Sequence, residues 1–292
     1  MKSQKSADMS SSKLYLVGTP IGNLDDMTYR AIQTLQEVQV IAAEDTRNTI
    51  RLCNHFNIKT PLISYHEHNI ESGGEKILSL LAEGKNVALV SDAGMPCISD
   101  PGADLVAKAI EAGVDVVPIP GANAAISAIV ASGLSPQPFL FFGFLSRQKK
   151  ERDAQLAQLR QREETIILYE APHRLKTTLH ALLENFSGEC RIVLARELTK
   201  RFEEFLRGTL EEAINWVESS EIRGEFCIVL EGGRKELVET EVWWTDVDVK
   251  RHVEIVMEEK NVRSKEAIRE VAVTRGMSRR DVYKAFHVEE NN

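Results

Sequence analysis

The sequence predicts an α/β protein with two sheet-containing domains and a small helical C-terminal domain. Three observations carry that reading. From residue 13, short apolar runs alternate with longer amphipathic ones, the signature of a mainly parallel sheet covered by helices. Gly133, Pro136 and Pro138 interrupt the alternation, which then resumes. After the acidic stretch ELVETEVWWTDVD, residues 250–288 carry only helical patterning.

Taken in order, residues 1–12 (MKSQKSADMSSS) are polar and read as a disordered tail. The first domain, 13–135, has strands in KLYLV, VQVIAA, NVALV and VDVVPI, with PLISY as a shorter one. Between them, TYRAIQTLQEV and DTRNTIRLCNHF have helical spacing. The second domain, 136–235, opens on FLFFGFL, far shorter than the roughly 20 residues of a membrane helix and read as a buried strand. Helix KKERDAQLAQLRQ, strand TIILYE, helix HRLKTTLHALLENF and strand RIVLARE follow. EEFLRG, helix TLEEAINWVES and strand EFCIVLEG complete the domain. A linker at 236–249 leads to the helical domain at 250–292. There SKEAIREVAVTRGMSRRDVYKAFHV reads as helix, tight turn at Gly276, helix, with Ser264 and Ser278 placed as caps, a helix-turn-helix-like pattern.

Composition narrows the function classes. With 292 residues and 43% hydrophobic side chains the chain can bury ordinary globular cores. A net charge of −8 argues against gripping nucleic acid with the whole surface, yet leaves room for a local basic patch. Cys53, Cys97, Cys190 and Cys227 are scattered without zinc or redox spacing, as expected of reduced thiols. No signal-peptide core or membrane-length run is present, so the expectation is a soluble cytoplasmic protein without membrane contact.

The chemistry-bearing segments lie where strands end. VSDAGMPCISDPG, residues 90–102, follows an apolar strand with two aspartates, two glycines and two prolines. Such a run cannot continue the strand; it either shapes a ligand loop or makes an irregular connection. KLYLV ends in GTPIGNL, which is neither a Walker A loop nor GxGxxG, and VDVVPI ends in PGANAAIS, running into a small-residue helix. Three such loops at the carboxyl ends of strands in one sheet form a cleft suited to a small polar ligand.

GTPIGNL, AEDTR, SYHEHN, SDAGMPCISDPG, PIPGANA, YEAPHR, ARELTKRFEE and GEFCIVLEG occur in this order between about residues 15 and 232. Together they resemble the tetrapyrrole-methylase superfamily. AEDTR, YHEHN and YEAPHR more narrowly resemble its bacterial branch that 2′-O-methylates a cytidine ribose of the small ribosomal subunit, in the decoding centre. The resemblance implies S-adenosylmethionine in a cleft between two α/β domains of a homodimer. It places Pro20, Gly22, Asp92, Gly94, Met95, Ala122, Asn123 and Tyr169 at the cofactor.

Methyl transfer from a sulfonium to a ribose hydroxyl is an in-line displacement. It asks the protein for alignment and for a base, or a cation that favours the alkoxide, but not for a metal. Candidates at strand ends are Glu44, Asp45 and Arg47; His66, Glu67 and His68; and Arg196, Glu197 and Lys200. Of these, Asp45, Arg47, His66, Glu197 and Lys200 form the catalytic set, with no one base ranked above another. For each, a capped helix start, a satisfied loop histidine or an ordinary charge pair is the plainer alternative.

From Arg263 to Lys284 seven cations stand against three anions, a local charge of +4. Arg275, Arg279, Arg280 and Lys284, together with Arg174 of YEAPHR, are the candidate RNA contacts, and RQKKER at 147–152 is a second basic strip. Two rivals remain: a methyltransferase of the same fold acting on a tetrapyrrole or protein side chain, and a ligand-sensing nucleic-acid-binding regulator.

Overall fold

The structure is a computed structural model that describes residues 4, 11–233, 244, 247–260 and 262–287. Most of the tail expected at 1–12 and of the linker expected at 236–249 lies outside the described residues. The chain divides into two compact units, Met1–Gly233 and Arg234–Asn292.

In the first unit, β1 (Lys13–Val17), β2 (Val40–Ala43), β3 (Leu62–Ser64), β4 (Val87–Val90) and β5 (Asp115–Ile119) form a sheet of order β3-β2-β4-β1-β5. Every pairing in it is parallel. Alternation along β4 explains its unbroken apolar run. Val87 and Leu89 pack with Leu14, Ile77, Leu81 and Leu105 on one face. Ala88 and Val90 pack with Val17, Leu35, Ile41 and Ile119 on the other. A parallel sheet buried on both faces has no polar side to alternate with. Helices α1 (Tyr29–Glu37), α2 (Thr46–His55), α3 (Ile70–Ala82) and α4 (Ala103–Glu111) return the chain between strands. Thr28 and Asp45 cap the first two, accepting the amides of Ala31 and Arg47.

The second sheet comprises β6 (Phe139–Phe144), β7 (Thr165–Glu170), β8 (Arg191–Arg196), β9 (Glu204–Thr209) and β10 (Phe226–Leu230), in order β6-β7-β10-β8-β9. It is mixed: β6 runs parallel to β7, while β10 is antiparallel to β7 and β8. Helices α6 (Lys149–Leu159), α7 (Pro172–Leu183) and α8 (Leu210–Ser219) supply Leu156, Leu175, Leu179 and Ile214 to one face. The other face is covered by α5 (Ala124–Ser132), whose Ala125, Ala128 and Ile129 meet Ile167, Val193, Cys227 and Val229. Thus α5, which precedes the Pro136 boundary, serves the second sheet. FLFFGFL is not a buried strand. As β6 it is the sheet's edge, bulged between Phe141 and Gly143, and Phe139 and Phe144 remain 37% and 51% exposed.

The second unit holds α9 (Val249–Lys260), α10 (Ser264–Thr274) and α11 (Arg279–His287) around Val253, Val256, Ile268, Val271 and Val282. Ser278 caps α11, accepting the Asp281 amide at 3.2 Å. Ser264 does not cap α10. It is the first helical residue, and Arg263 holds the cap position without a side-chain bond.

Candidate active site

Three loops from the carboxyl ends of β1, β4 and β5 are knitted into one wall. Thr19 and Gly94 exchange backbone hydrogen bonds of 2.8 and 3.1 Å. Gly18 lies so close to the third loop that a Cβ there would sit 2.8 Å from Gly121 Cα and 2.8 Å from Met95 Sδ. Only two glycines permit that approach. The facing wall comes from the second sheet: Phe144 of β6, Tyr169 of β7, Phe226 and Cys227 of β10, and Leu198 and Lys200 after β8. Between the walls is a cavity of about 580 Å³, in the range of small-molecule sites.

Two turns that line it hold non-glycine residues at left-handed φ: Cys97 (71°) and Ser99 (63°) on one side, Glu197 (51°) and Thr199 (65°) on the other. Each such residue costs about 1–3 kcal/mol, and such strain collects at ligand clamps.

The cavity lining carries both signs of charge. Glu44, Asp92 and Asp100 are among its carboxylates. Asp92 accepts the Asp45 amide at 3.1 Å and Asn48 Nδ2 at 3.0 Å, while its own amide reaches Glu44 Oε2 at 3.4 Å. Burial, reinforced by the Glu44 carboxylate, pushes Asp100 up to about 6. Burial also raises Glu44, against the hydrogen bond from the Asp92 amide. Opposite stands Lys200, whose Nζ donates to Glu197 Oε1 and Glu225 Oε2, each at 2.9 Å. Burial alone would lower its pKa, but those two hydrogen bonds outweigh it and raise it. Glu197 also accepts the Glu225 amide at 2.9 Å. Its pKa is lowered in spite of burial by the bonds from Lys200 and that amide. Tyr169, pushed up to about 12 by burial, is a neutral phenol whose oxygen accepts the Ala125 amide at 3.2 Å, at the start of α5.

Of the expected cofactor residues, Asp92, Gly94, Met95, Asn123 and Tyr169 line the cavity. Asn123 also caps α5 through the Ile126 amide at 3.0 Å. Pro20, Gly22 and Ala122 stand beside lining residues: Ile21 lies between the first two, and Ala122 adjoins Asn123. Of the catalytic candidates, Lys200 lines the cavity and Glu197 holds it from behind. Asp45, Arg47 and His66 are not brought to it. Asp45 caps α2 and is held down to about 2 by the hydrogen bonds from the Arg47 side chain and amide, so it is a poor base. His66 Nδ1 accepts the His68 amide at 3.2 Å, capping the short turn Glu67–Asn69.

Two expected RNA contacts are engaged internally instead. Arg174 donates to Leu145 O at 2.7 Å and pairs with Glu170 Oε1 at 3.2 Å, a carboxylate only 2% exposed. Arg275 donates to His252 Nδ1 at 3.0 Å and to the carbonyls of Trp244 and Val247, with its guanidinium over the Trp244 ring. Arg279, Arg280 and Lys284 are exposed on α11. The sequence reading missed Asp100, Phe144, His173 and Glu225, all lining residues. Asp100, His173 and Glu225 lie inside SDAGMPCISDPG, YEAPHR and GEFCIVLEG, which was a usable signal for each; nothing local marked Phe144. Among the described residues no group of three or more His, Cys, Asp or Glu is arranged to hold a metal ion, and no helix is long and apolar enough to cross a membrane.

Comparison with known proteins gives a consistent set. The family described as tetrapyrrole (corrin/porphyrin) methylases matches residues 13–214. The ribosomal RNA small subunit methyltransferase I of Bacillus subtilis (strain 168) is 57% identical over 278 residues, 95% of this chain and 94% of that one. Its counterpart from Synechocystis sp. (strain ATCC 27184 / PCC 6803 / Kazusa) is 54% identical over 223 residues, 76% of this chain and 80% of the other. Among solved structures, uroporphyrin-III C-methyltransferase of Thermus thermophilus complexed with S-adenyl homocysteine aligns with TM-score 0.55 and 18% identity, covering 75% of this chain and 97% of that one. A diphthine synthase aligns with TM-score 0.58 and 16% identity, covering 75% and 90%. At these identities the two structures speak to the fold.

Proposed function

The chain belongs to the tetrapyrrole methylase family, and from that premise we propose that it transfers a methyl group from S-adenosylmethionine to the ribose 2′-hydroxyl of a cytidine in small-subunit ribosomal RNA. The relative at 57% identity, which this chain matches over 95% of its length, carries the acceptor class, since it is named for methylation of that RNA. Position and nucleotide rest on the motifs AEDTR, YHEHN and YEAPHR.

The cavity's residues fit the methyl donor. Glu44, Asp92 and Asp100 present negative charge to a cationic ligand, the Gly18–Gly121 approach lets backbone close on it, and the Tyr169 and Phe144 rings offer apolar faces. S-adenosylmethionine supplies the methyl group already activated on a sulfonium, so the chain's own task is alignment and control of one proton. Holding the reacting atoms in line is worth about 7–11 kcal/mol in favourable systems. Lys200, kept protonated by Glu197 and Glu225, is unsuited to be a base and suited to stabilise the developing alkoxide. The hydrogen bonds to Glu197 and Glu225 fix where that ammonium points. Arg279, Arg280 and Lys284 of the C-terminal unit contact phosphate in this reading, and the working form is a cytoplasmic homodimer.

The test is methylation of three acceptors with labelled cofactor: small ribosomal subunits lacking the modification, tetrapyrrole precursors and duplex DNA. Label on the subunit RNA that survives as an alkali-resistant dinucleotide is the expected result, because a 2′-O-methyl group blocks cleavage at the next phosphate. Label on a tetrapyrrole, or on nothing, overturns the reading.

A further inference from the structure

The turn after β8 has a second side that the chemistry above does not use. It is fixed from within: the Lys200 amide donates to Glu197 O at 3.0 Å, the Glu203 amide to Lys200 O at 3.1 Å, and the Thr199 amide to Glu203 Oε2 at 2.6 Å. It is also fixed from outside by the first cofactor loop, since a Cβ on Gly22 would lie 2.4 Å from Lys200 Cγ and 3.2 Å from Leu198 O. One side of this rigid turn gives Lys200 to the cavity. The other presents Arg201 and Phe202 to solvent. Phe202 is 71% exposed, and the Arg201 guanidinium carbon stands 5.5 Å from the centre of its ring.

A large apolar ring held out on a pinned turn gains nothing for the fold, and the turn has too little freedom to tuck it away. The neighbouring carboxylates are all engaged: Glu203 by the Thr199 amide, Glu204 by Arg196 at 3.2 Å, and Glu197 and Glu225 by Lys200. Arg201 makes no ion pair among the described residues. What remains exposed two residues from the cavity is a π face with a cation beside it. Unpaired nucleic acid meets that combination with a stacked base and an adjacent phosphate. A second ring, Phe144, stands half-exposed and lines the cavity itself.

We propose that Phe202 is a stacking platform for an unpaired base of the acceptor RNA, with Arg201 at a neighbouring phosphate, so that the strand is held single-stranded as its ribose reaches Lys200. The inference rests on the RNA-methylation reading and adds that the acceptor segment is bound unstacked from its own helix. Phe202 is a positioning residue: it acts on where the ribose sits and not on the reacting atoms.

The experiment measures steady-state methylation of small subunits lacking the modification, by the unaltered full-length chain and by F202A, F202L and F202W, alongside S-adenosylmethionine affinity and sedimentation of each protein. Stacking on an aromatic is worth about 5- to 150-fold per base on removal of the ring. F202A and F202L should therefore raise KM for the subunit by about that factor, with kcat and cofactor affinity within about twofold. F202W should restore the KM, because the indole keeps a π face and leucine does not. Three results overturn the proposal while leaving RNA methylation standing: F202L behaving as the unaltered chain, a loss in kcat with KM unchanged, or an altered sedimentation of F202A that assigns the ring to a contact between copies. Failure of the unaltered chain to methylate subunits overturns the reading and this inference with it.

Discussion

Replacing Asp100 by asparagine should do two opposite things: stabilise the cofactor-free protein near neutral pH and weaken its hold on the cationic cofactor. The carboxyl is driven from the ordinary 3.8 to about 6, first by burial and then by Glu44. In full that rise corresponds to about 3 kcal/mol against the ionised form. The side chain is only half-buried, so solvent screening reduces the usable part to about 1–1.5 kcal/mol. The sign follows from proton counting. Between about pH 4 and 6 the folded protein holds a proton that the unfolded chain has released, so stability falls as pH rises through that window and is flat above it. Asparagine cannot ionise, so D100N escapes the fall. Its advantage over the unaltered chain should be near zero at pH 4, grow to about pH 6, and persist at pH 7.5 as a melting temperature about 2–5 °C higher. Groups away from Asp100 titrate alike in both proteins and cancel in the difference, while Glu44, relieved of a neighbouring charge, adds to the gain in the same direction. At pH 7.5, titration calorimetry with S-adenosylmethionine should show the variant binding about tenfold more weakly, the usual worth of one charge-assisted contact. An unchanged melting temperature at pH 7.5 with unchanged affinity would refute the strained-carboxylate account, and stabilisation without loss of affinity would detach Asp100 from the cofactor.

Lys200→Ala should lower the single-turnover methylation rate by about 10²–10³ with cofactor affinity retained, since it removes a cation aimed at charge that develops only in the transition state; a near-normal rate returns Lys200 to a structural pairing with Glu197 and Glu225. Arg174→Ala leaves the buried Glu170 carboxylate without its cation and should cost about 3 kcal/mol in urea unfolding, while the salt dependence of RNA binding stays the same. The combined Arg279→Gln, Arg280→Gln and Lys284→Gln variant should do the reverse. Its melting temperature should hold or rise slightly, because two cations at the start of α11 oppose the helix dipole. Its log–log salt slope for RNA should flatten by about 0.7–0.9 for each phosphate no longer neutralised, and an unchanged slope would make α11 a solvated surface.

What the sequence made legible follows the kind of force involved. Strands such as VALV and FCIVL could be read because a strand buried on both faces must be apolar without interruption, and local composition reports that directly. Phe144 could not, because FLFFGFL has the composition of a core strand, and only the sheet order reveals that β6 has a single neighbour. The partner of α5 was equally hidden: its small residues would fit either sheet, and Ile126 and Val130 on its far side stay exposed. The cations divide in the same way. Arg174 and Arg275 look no different in sequence from Arg279 and Arg280. Their employment depends on Glu170, Leu145, His252 and Trp244, up to 31 residues away in the chain. The loops were legible as loops, since prolines and glycines fix the backbone locally. Which carboxylate faces inward is a property of the assembled wall.

The division of charge inside the cavity also bears on how a chain of net charge −8 can serve a polyanion. A sulfonium donor and an alkoxide acceptor demand opposite fields a few ångströms apart, and a cavity of one sign would favour one partner at the other's expense. Here Glu44, Asp92 and Asp100 come from loops of the first sheet, while Lys200, with Glu225 beside it, comes from the second, with the neutral Tyr169 phenol also on the cavity wall. Lys200 keeps its charge because Glu197 and Glu225 hold it, and Glu197 accepts the Glu225 backbone amide in turn. Those two carboxylates therefore fix the position of the cation as well as its charge.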